Sequence, residues 1–311
     1  MRIASLRAGH LVPFALVVLT LAVPRAHAQT DVKHYNFDVA ATGRFHLDSE
    51  RGAVDLEVDN GRTVRVEIER EARRGYRLED FRVTVEQRGG DVYVRGHFTD
   101  PDRRERRGDD YRVRYRIVVP RAFDATIRTS IGDVTVADLQ GDLDVESAAA
   151  SLQLGHIGGR VTAATSAGSI RLESAGGDTR IQTSAGGVEV GHVRGDLDVR
   201  TSAGSILAEA VDGDFRAHTS AGNIEATLTR APTRDTRLET SAGNIELRLP
   251  QGAGFVVDAA TNGGRAEVGF PRSSHGYARA NEEVVHQTVG SGGPTLRLRT
   301  SVGNIIVRPA R

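Results

Sequence analysis

Residues Thr201 to His218 read Thr-Ser-Ala-Gly-Ser-Ile-Leu-Ala-Glu-Ala-Val-Asp-Gly-Asp-Phe-Arg-Ala-His. The opening phrase, or a variant of it, also begins at Thr129, Ser147, Thr165, Thr183 and Thr219, always in steps of 18 residues. It returns at Thr240 and Thr261 after 21-residue steps, and at Thr300 after 39. A fixed period marks a repeat architecture, in which a unit buries its apolar side only by stacking on its neighbours. With Thr201 as position 1, position 4 is glycine at Gly132, Gly168, Gly186, Gly204, Gly222, Gly243, Gly264 and Gly303. Position 13 is Gly141, Gly159, Gly177, Gly195 and Gly213. Two glycines half a unit apart mark two turns. Between them apolar residues alternate. Position 6 is Val134, Leu152, Ile170, Val188, Ile206, Ile224, Ile245 and Ile305, and positions 15 and 17 include Leu143 and Val145, or Leu197 and Val199. Alternation of period 2 predicts strands with one face buried.

Each unit therefore supplies two short strands that cannot form a core alone. Equivalent strands pair in parallel and in register at about 4.8 Å, so position 6 stacks on position 6. The expected fold is all-β, a parallel β-solenoid of the β-helix type. A flat antiparallel meander competes, but its neighbours do not sit in equivalent registers and need no identical residue at every repeat.

The template also fits further back. Gly43 takes position 13, Phe45 and Leu47 take 15 and 17, Gly52 takes 4, and Val54 and Leu56 take 6 and 8. This predicts an N-terminal β region, residues 29–128, with a first coil at 43–58 and inserted strands at 59–122. Those strands are Val64-Val66-Ile68, Val83-Val85, Val92-Val94 and Val113-Tyr115-Ile117, the last with Arg112, Arg114 and Arg116 on its opposite face. Ten of the 15 aromatic residues lie from Tyr35 to Phe123, so this end is expected to cap the stack, with a separate β-domain as the alternative. Regular repeats fill 129–311, interrupted at 271–294. The chain then resumes register at Leu296, Leu298, Thr300, Gly303 and Ile305, which suggests that the final strand closes the stack.

The chain opens with a removable address. Arg2 and Arg7 precede an apolar run, Leu11 to Val23, and Ala26-His27-Ala28 is a small-x-small cleavage site. The run is shorter than the ~20 residues of a spanning helix, so residues 1–28 read as a signal peptide, leaving a mature chain from Gln29. No later stretch is long and apolar enough to span a bilayer as a helix. The absence of cysteine excludes disulfides, thiolate metal sites and a lipidated cysteine. The 41 basic residues, less Arg2, Arg7 and Arg25, leave 38 against 41 acidic ones, a mature charge of −3. A nucleic-acid binder would show a strong basic excess.

These motifs carry a resemblance. An export signal precedes Val118-Val119-Pro120, then repeated Thr-Ser-x-Gly-(Asn/Asp/Ser)-Ile with Gly-Asp-Leu-x-Val between, and finally Leu296 to Ile305. Over most of residues 43–308 the chain resembles a bacterial family of candidate adhesins designated domain of unknown function 4097. The resemblance implies a cell-envelope β-solenoid and brings no catalytic residues with it.

Four constellations are candidates for chemistry. Position 14 carries Asp142, Asp178, Asp196 and Asp214. Stacked carboxylates repel unless solvated or bridged by a cation, which suggests a calcium ladder. The competing reading is a Gly-Asp turn whose side chain bonds nearby amides. Calcium takes 6–8 oxygens and the Gly-Gly-x-Gly-x-Asp repeat of calcium-binding rolls is missing, so no metal is expected. His156 and His192 at position 10 flank Ser174 across two coils, too far apart to share one metal, and are expected to face solvent. The position 1 threonines would form a hydroxyl column, either a face for a crystalline polymer or a stabilising ladder. Arg103, Arg104, Arg106 and Arg107 lie among acids from Asp100 to Asp110, either a contact for anionic envelope polymers or, since the acids nearly cancel the charge, a solvated hairpin tip.

No His-Glu-x-x-His, Gly-x-Ser-x-Gly or phosphate-binding lysine loop is present. The expectation is an exported, non-enzymatic β-solenoid with a structural, adhesive or interaction role at the cell envelope. It would be periplasmic or at the cell surface, use no cofactor, and bind an envelope protein or surface polymer rather than nucleic acid. The rivals are a periplasmic module of envelope-stress signalling and a carbohydrate-active β-helix enzyme.

Overall fold

The structure, a computed structural model, describes residues 28–73, 75–100, 110–271 and 283–310. The expected signal segment up to residue 27 and the arginine-rich tip at 101–109 lie outside the described residues. Each repeat gives one strand to each of two 13-stranded sheets that face one another across a single apolar core. In the unit from Thr201, Ile206–Val211 belongs to the front sheet and Phe215–Ala221 to the rear sheet. Strands of successive units pair in parallel. Ile170, Val188, Ile206, Ile224 and Ile245 are consecutive partners, each 0–1% exposed. Leu197 pairs with Phe215 in the rear sheet, both inward. This is the β-solenoid that the alternation predicts.

One inward row escapes the alternation. In Val188–Val193 the buried positions are Val188, Val190 and Val193, with Gly191 and His192 between the last two. The period of 2 slips by one residue there, so position 11 points inward as Ile157, Ala175, Val193 and Val211. The slip turns each strand toward its corner and leaves positions 9 and 10 outside.

The Thr-Ser-Ala-Gly corner follows from two constraints. Gly204 has φ +152°, and a Cβ built on it would lie 2.0 Å from the carbonyl oxygen of Gly186 in the preceding coil. Only glycine fits that backbone and that approach. The glycine carbonyl accepts a hydrogen bond from the next coil's threonine, as in Thr201 Oγ1 to Gly186 O (3.2 Å) and Thr219 Oγ1 to Gly204 O (3.0 Å). The threonine column is therefore buried, with Thr219 at 0% exposure, and offers no outward hydroxyl face. Its hydroxyls bond glycine carbonyls rather than one another, because a buried carbonyl without a donor is costly.

Both ends are built out of sequence order. Arg44–Ser49 and Ala53–Asp59 form the first coil in the chain. Asp91–Phe98 and Tyr111–Pro120 pair with one side of that coil, while Asp124–Ile131 and Val134–Val136 pair with the other. The inserted strands thus lie outside the first coil, in the same two sheets as the repeats. Antiparallel strands finish this end: Thr63–Ala72 and Gln29–Asp38 in front, Phe81–Arg88 behind. Tyr76, Phe81, Phe98 and Tyr111 plug it, with ring centroids 5.0–6.4 Å apart. Arg112, Arg114 and Arg116 face Glu71, Glu69 and Glu67 across the front sheet, which accounts for the charged face of that strand.

At the other end Thr295–Val302 lies between Thr236–Ala242 and Phe255–Gly263, and Ile305–Pro309 between Ile245–Leu249 and Ala266–Val268. The last coil in sequence is thus next to last in space. The expectation that it closes the stack is corrected: it fills a slot, and the outer rear edge is covered by antiparallel Val284–Val289 from within the 271–294 insertion. An uncovered edge would template pairing with other chains. The front sheet ends on the three-residue strand Ala266–Val268, a short edge that limits the same hazard.

Candidate functional site

The acidic column sits at the corner where front strands return to the rear sheet. Each carboxylate holds the next coil. Asp142 Oδ1 accepts the Arg160 amide at 2.8 Å, Asp178 Oδ1 the Asp196 amide at 3.0 Å, and Asp196 Oδ1 the Asp214 amide at 3.0 Å. The device extends to both out-of-order coils, where Asp91 holds the Arg44 amide and Asp235 the Thr295 amide, each at 2.9 Å. These are amide bonds of the kind the Gly-Asp reading expects, with the amide supplied by the neighbouring coil rather than by the same turn. Arginine meets the second oxygen of three of the four: Arg160 reaches Asp142 at 3.1 Å, and Arg234 bridges Asp196 and Asp214. Arg234 lies in the stretch Thr229 to Asp235, within the first 21-residue step, so those added residues place a cation where the ladder needs one. A second ladder runs along the Thr-Ser-Ala-Gly corner. Asn223 accepts the Asn244 amide and Asn244 the Asn304 amide, both at 2.8 Å. That ladder explains the Asn/Asp/Ser preference at position 5.

The two histidines lie on a shallow groove of about 290 Å³ at the position 10 to 12 corner. Its floor is the bare backbone of Gly158 and Gly176, and Arg121 and Arg194 stand among its lining residues. A Cβ on Gly176 would lie 2.1 Å from the Gly158 carbonyl oxygen, so close stacking forbids a side chain and leaves the groove open. His156 and His192 each pair in register with Ser174 and face outward as expected, although it is the slip after position 8 that turns them out. His156 Nδ1 and Ser174 Oγ are 2.9 Å apart, and the His156 amide donates to Asp138. His192 Nε2 lies 3.0 Å from Asp212 Oδ1, which also accepts the Thr229 hydroxyl at 2.5 Å. That hydroxyl chiefly holds Asp212 below the usual carboxylate range, with His192 and Arg230 adding to it against the effect of burial. A Ser-His-carboxylate relay needs one histidine that joins serine to carboxylate. Here serine sits on one histidine and the carboxylate on the other, so the relay is split. The groove can hydrogen-bond a polar ligand. Among the described residues no group of three or more His, Asp or Glu side chains is placed to share a metal ion.

Sequence reasoning missed Asp138, Asp212 and the groove floor. The paired glycines Gly158-Gly159 and Gly176-Gly177 were the available signal, since position 13 alone already supplies the recurring turn glycine.

No curated protein matches the chain. Among solved structures it is similar to a candidate adhesin from Parabacteroides distasonis ATCC 8503, at 12% identity and a TM-score of 0.44, covering 90% of this chain and 97% of that one. A candidate adhesin from Bacteroides fragilis NCTC 9343 gives 11% identity and 0.43 over the same shares. A candidate lipid-binding protein from Parabacteroides distasonis ATCC 8503 gives 11% and 0.39, again over 90% and 97%. The family model described as Toastrack DUF4097 matches residues 44–308, the span of the coils and both ladders. The chain belongs to the Toastrack DUF4097 family.

Proposed function

We propose that this chain is an exported, non-enzymatic β-solenoid with a structural, adhesive or interaction role at the cell envelope. One observation supports this most. The polar side chains at both corners serve the stack: aspartates and asparagines hold amides of adjacent coils, and threonines hold glycine carbonyls. What the fold presents outward is a rigid bar with two broad polar faces, a geometry suited to contact with an extended partner. Among the described residues no helix is long and apolar enough to cross a membrane. The basic start, apolar run and Ala-His-Ala site support export with cleavage after Ala28.

Fractionation of a tagged native protein, with mass spectrometry of its N-terminus, tests this reading. A chain beginning at Gln29 in the envelope or medium is the expected result, and crosslinking there identifies the partner. Retention of Met1 in the cytoplasm would overturn it.

A further inference from the structure

The two outer faces of the C-terminal half carry opposite charge. Over the six coils nearest the C-terminal end, the rear sheet presents Arg180, Arg200, Arg216, Arg237, Arg297 and Arg299 against Asp198, Glu239 and Asp258. The front sheet of the same coils presents Glu189, Glu209, Glu225, Glu246 and Glu267 against Arg248 and Arg308. Within the basic face, Arg216, Arg237 and Arg297 are direct neighbours on three adjacent strands, all exposed. The triplet exists only because the last coil is inserted out of order. In sequence order Asp258 would follow Arg237; the insertion puts Arg297 there and moves Asp258 one strand out.

Like charges directly opposite on a sheet are destabilising, and the carboxylates present do not cancel them. Asp198 is shared by Arg180 (3.9 Å) and Arg200 (3.0 Å), and Asp258 by Arg297 (3.7 Å) and Arg299 (2.6 Å). Glu239 meets Arg237 at 2.7 Å. Arg216 has no carboxylate partner among the described residues.

We infer that the Arg216–Arg237–Arg297 column is a docking track for an anionic polysaccharide, which deepens the envelope-interaction reading and rests on it. Three arginines in register on adjacent strands, whose backbones lie about 4.8 Å apart, suit a linear chain with repeated carboxylate groups. The track lies on an open sheet face, where one small anion would stay exposed. A polymer gains from several weak contacts made together. Asp198 and Asp258 terminate the line and Glu239 stands beside it, so a broad anionic membrane would meet carboxylates that a single strand avoids.

The test is binding of the purified mature chain to polygalacturonate, with neutral dextran and phosphatidylglycerol vesicles as the other arms. Expected is salt-sensitive binding to polygalacturonate alone. Arg216→Ser/Arg237→Ser/Arg297→Ser should weaken it at least ~10-fold and make the salt slope shallower by about three. Arg216→Ser alone should weaken it about 2–3-fold, as expected for one exposed ion contact, and it keeps the test valid if the triple variant does not fold. Glu209→Lys, on the opposite sheet, should leave affinity unchanged although it raises net charge. Absence of polygalacturonate binding, equal binding by the arginine variants, or preference for the vesicles would overturn the inference. Salt-dependent self-association in place of polymer binding would assign the face to a second copy and also overturn it. These results concern purified protein, so they are separable from the cellular location tested above.

Discussion

Gly204→Ala places a methyl group where the structure leaves no room. The new Cβ would lie 2.0 Å from the Gly186 oxygen and 2.5 Å from its carbonyl carbon, both backbone atoms. Relief requires the two coils to part by more than about 1 Å, since the ordinary contact distance is about 3.5 Å. Three hydrogen bonds cross that gap: Thr201 Oγ1 to Gly186 O at 3.2 Å, the Gly186 amide to Ala203 O at 2.9 Å, and the Val188 amide to Ser205 O at 2.9 Å. At about 1 kcal/mol each, their loss costs about 3 kcal/mol. The φ of +152° itself adds about 1–3 kcal/mol for a residue with a Cβ. Gly252 is the control. It has φ +83° but no atom within 4 Å of the added Cβ, so Gly252→Ala carries the backbone strain alone. The difference should therefore be at least about 3 kcal/mol, or at least about 6–12 °C in Tm for a chain of this size. Thermal unfolding by circular dichroism measures it, and hydrogen exchange at the Gly186 and Val188 amides should accelerate in Gly204→Ala only. Equal melting of the two variants would show that neighbouring corners do not approach so closely, and the account of the Thr-Ser-Ala-Gly motif would fail.

Three further outcomes are expected. Ile206→Asp puts an unpaired charge between Val188 and Ile224 and should cost several kcal/mol, while Glu209→Lys, three residues on and outward, should change stability by less than about 0.5 kcal/mol; similar denaturation curves would refute the inward register. Thr236 is fully buried with no partner for its hydroxyl. Thr236→Val keeps the shape and removes the orphan, so it should stabilise by about 1 kcal/mol in denaturant titration, and a loss would reveal a partner for that hydroxyl. Tyr111 donates its hydroxyl to Leu78 O at 3.1 Å, and burial pushes its pKa from 10.0 up to about 12. The unfolded chain ionises first, so this contribution is intact below about pH 10 and is lost between pH 10 and 12. Denaturant titrations across that range should show a shallower alkaline decline in Tyr111→Phe, and an unchanged slope would contradict the buried hydroxyl.

The stacking of units was legible because it rests on local chemistry. A glycine at position 4 or 13 and an inward residue at position 6 recur in each repeat, whichever coil lies next. Position 11 was not legible, because the slip that turns it inward depends on closing the corner around a finite core. The order of coils at the ends was hidden for another reason. The units at Thr240, Thr261 and Thr300 carry nearly the same motif, so any of them pairs acceptably with any other. The choice falls to connection lengths and to strands such as Val284–Val289, which local patterning does not rank. The arginine track inherits that blindness. Arg237 and Arg297 are 60 residues apart, and no reading of consecutive coils sets them side by side.

The slot filled by Thr295–Val302 and Ile305–Pro309 governs when the molecule can finish folding. The coil at Phe255–Val268 is made earlier in synthesis, yet it has no partner from the repeats until those last strands arrive. Growth by adding each new coil to the previous one therefore cannot give the native order beyond Leu249. A chain halted before Thr295 would carry two facing sets of open edges, the aggregation-exposed state of a long-range parallel pairing. Completion of the C-terminal coil thus acts as a checkpoint: the stack becomes closed, and safe from its own edges, only once the final strands have been delivered.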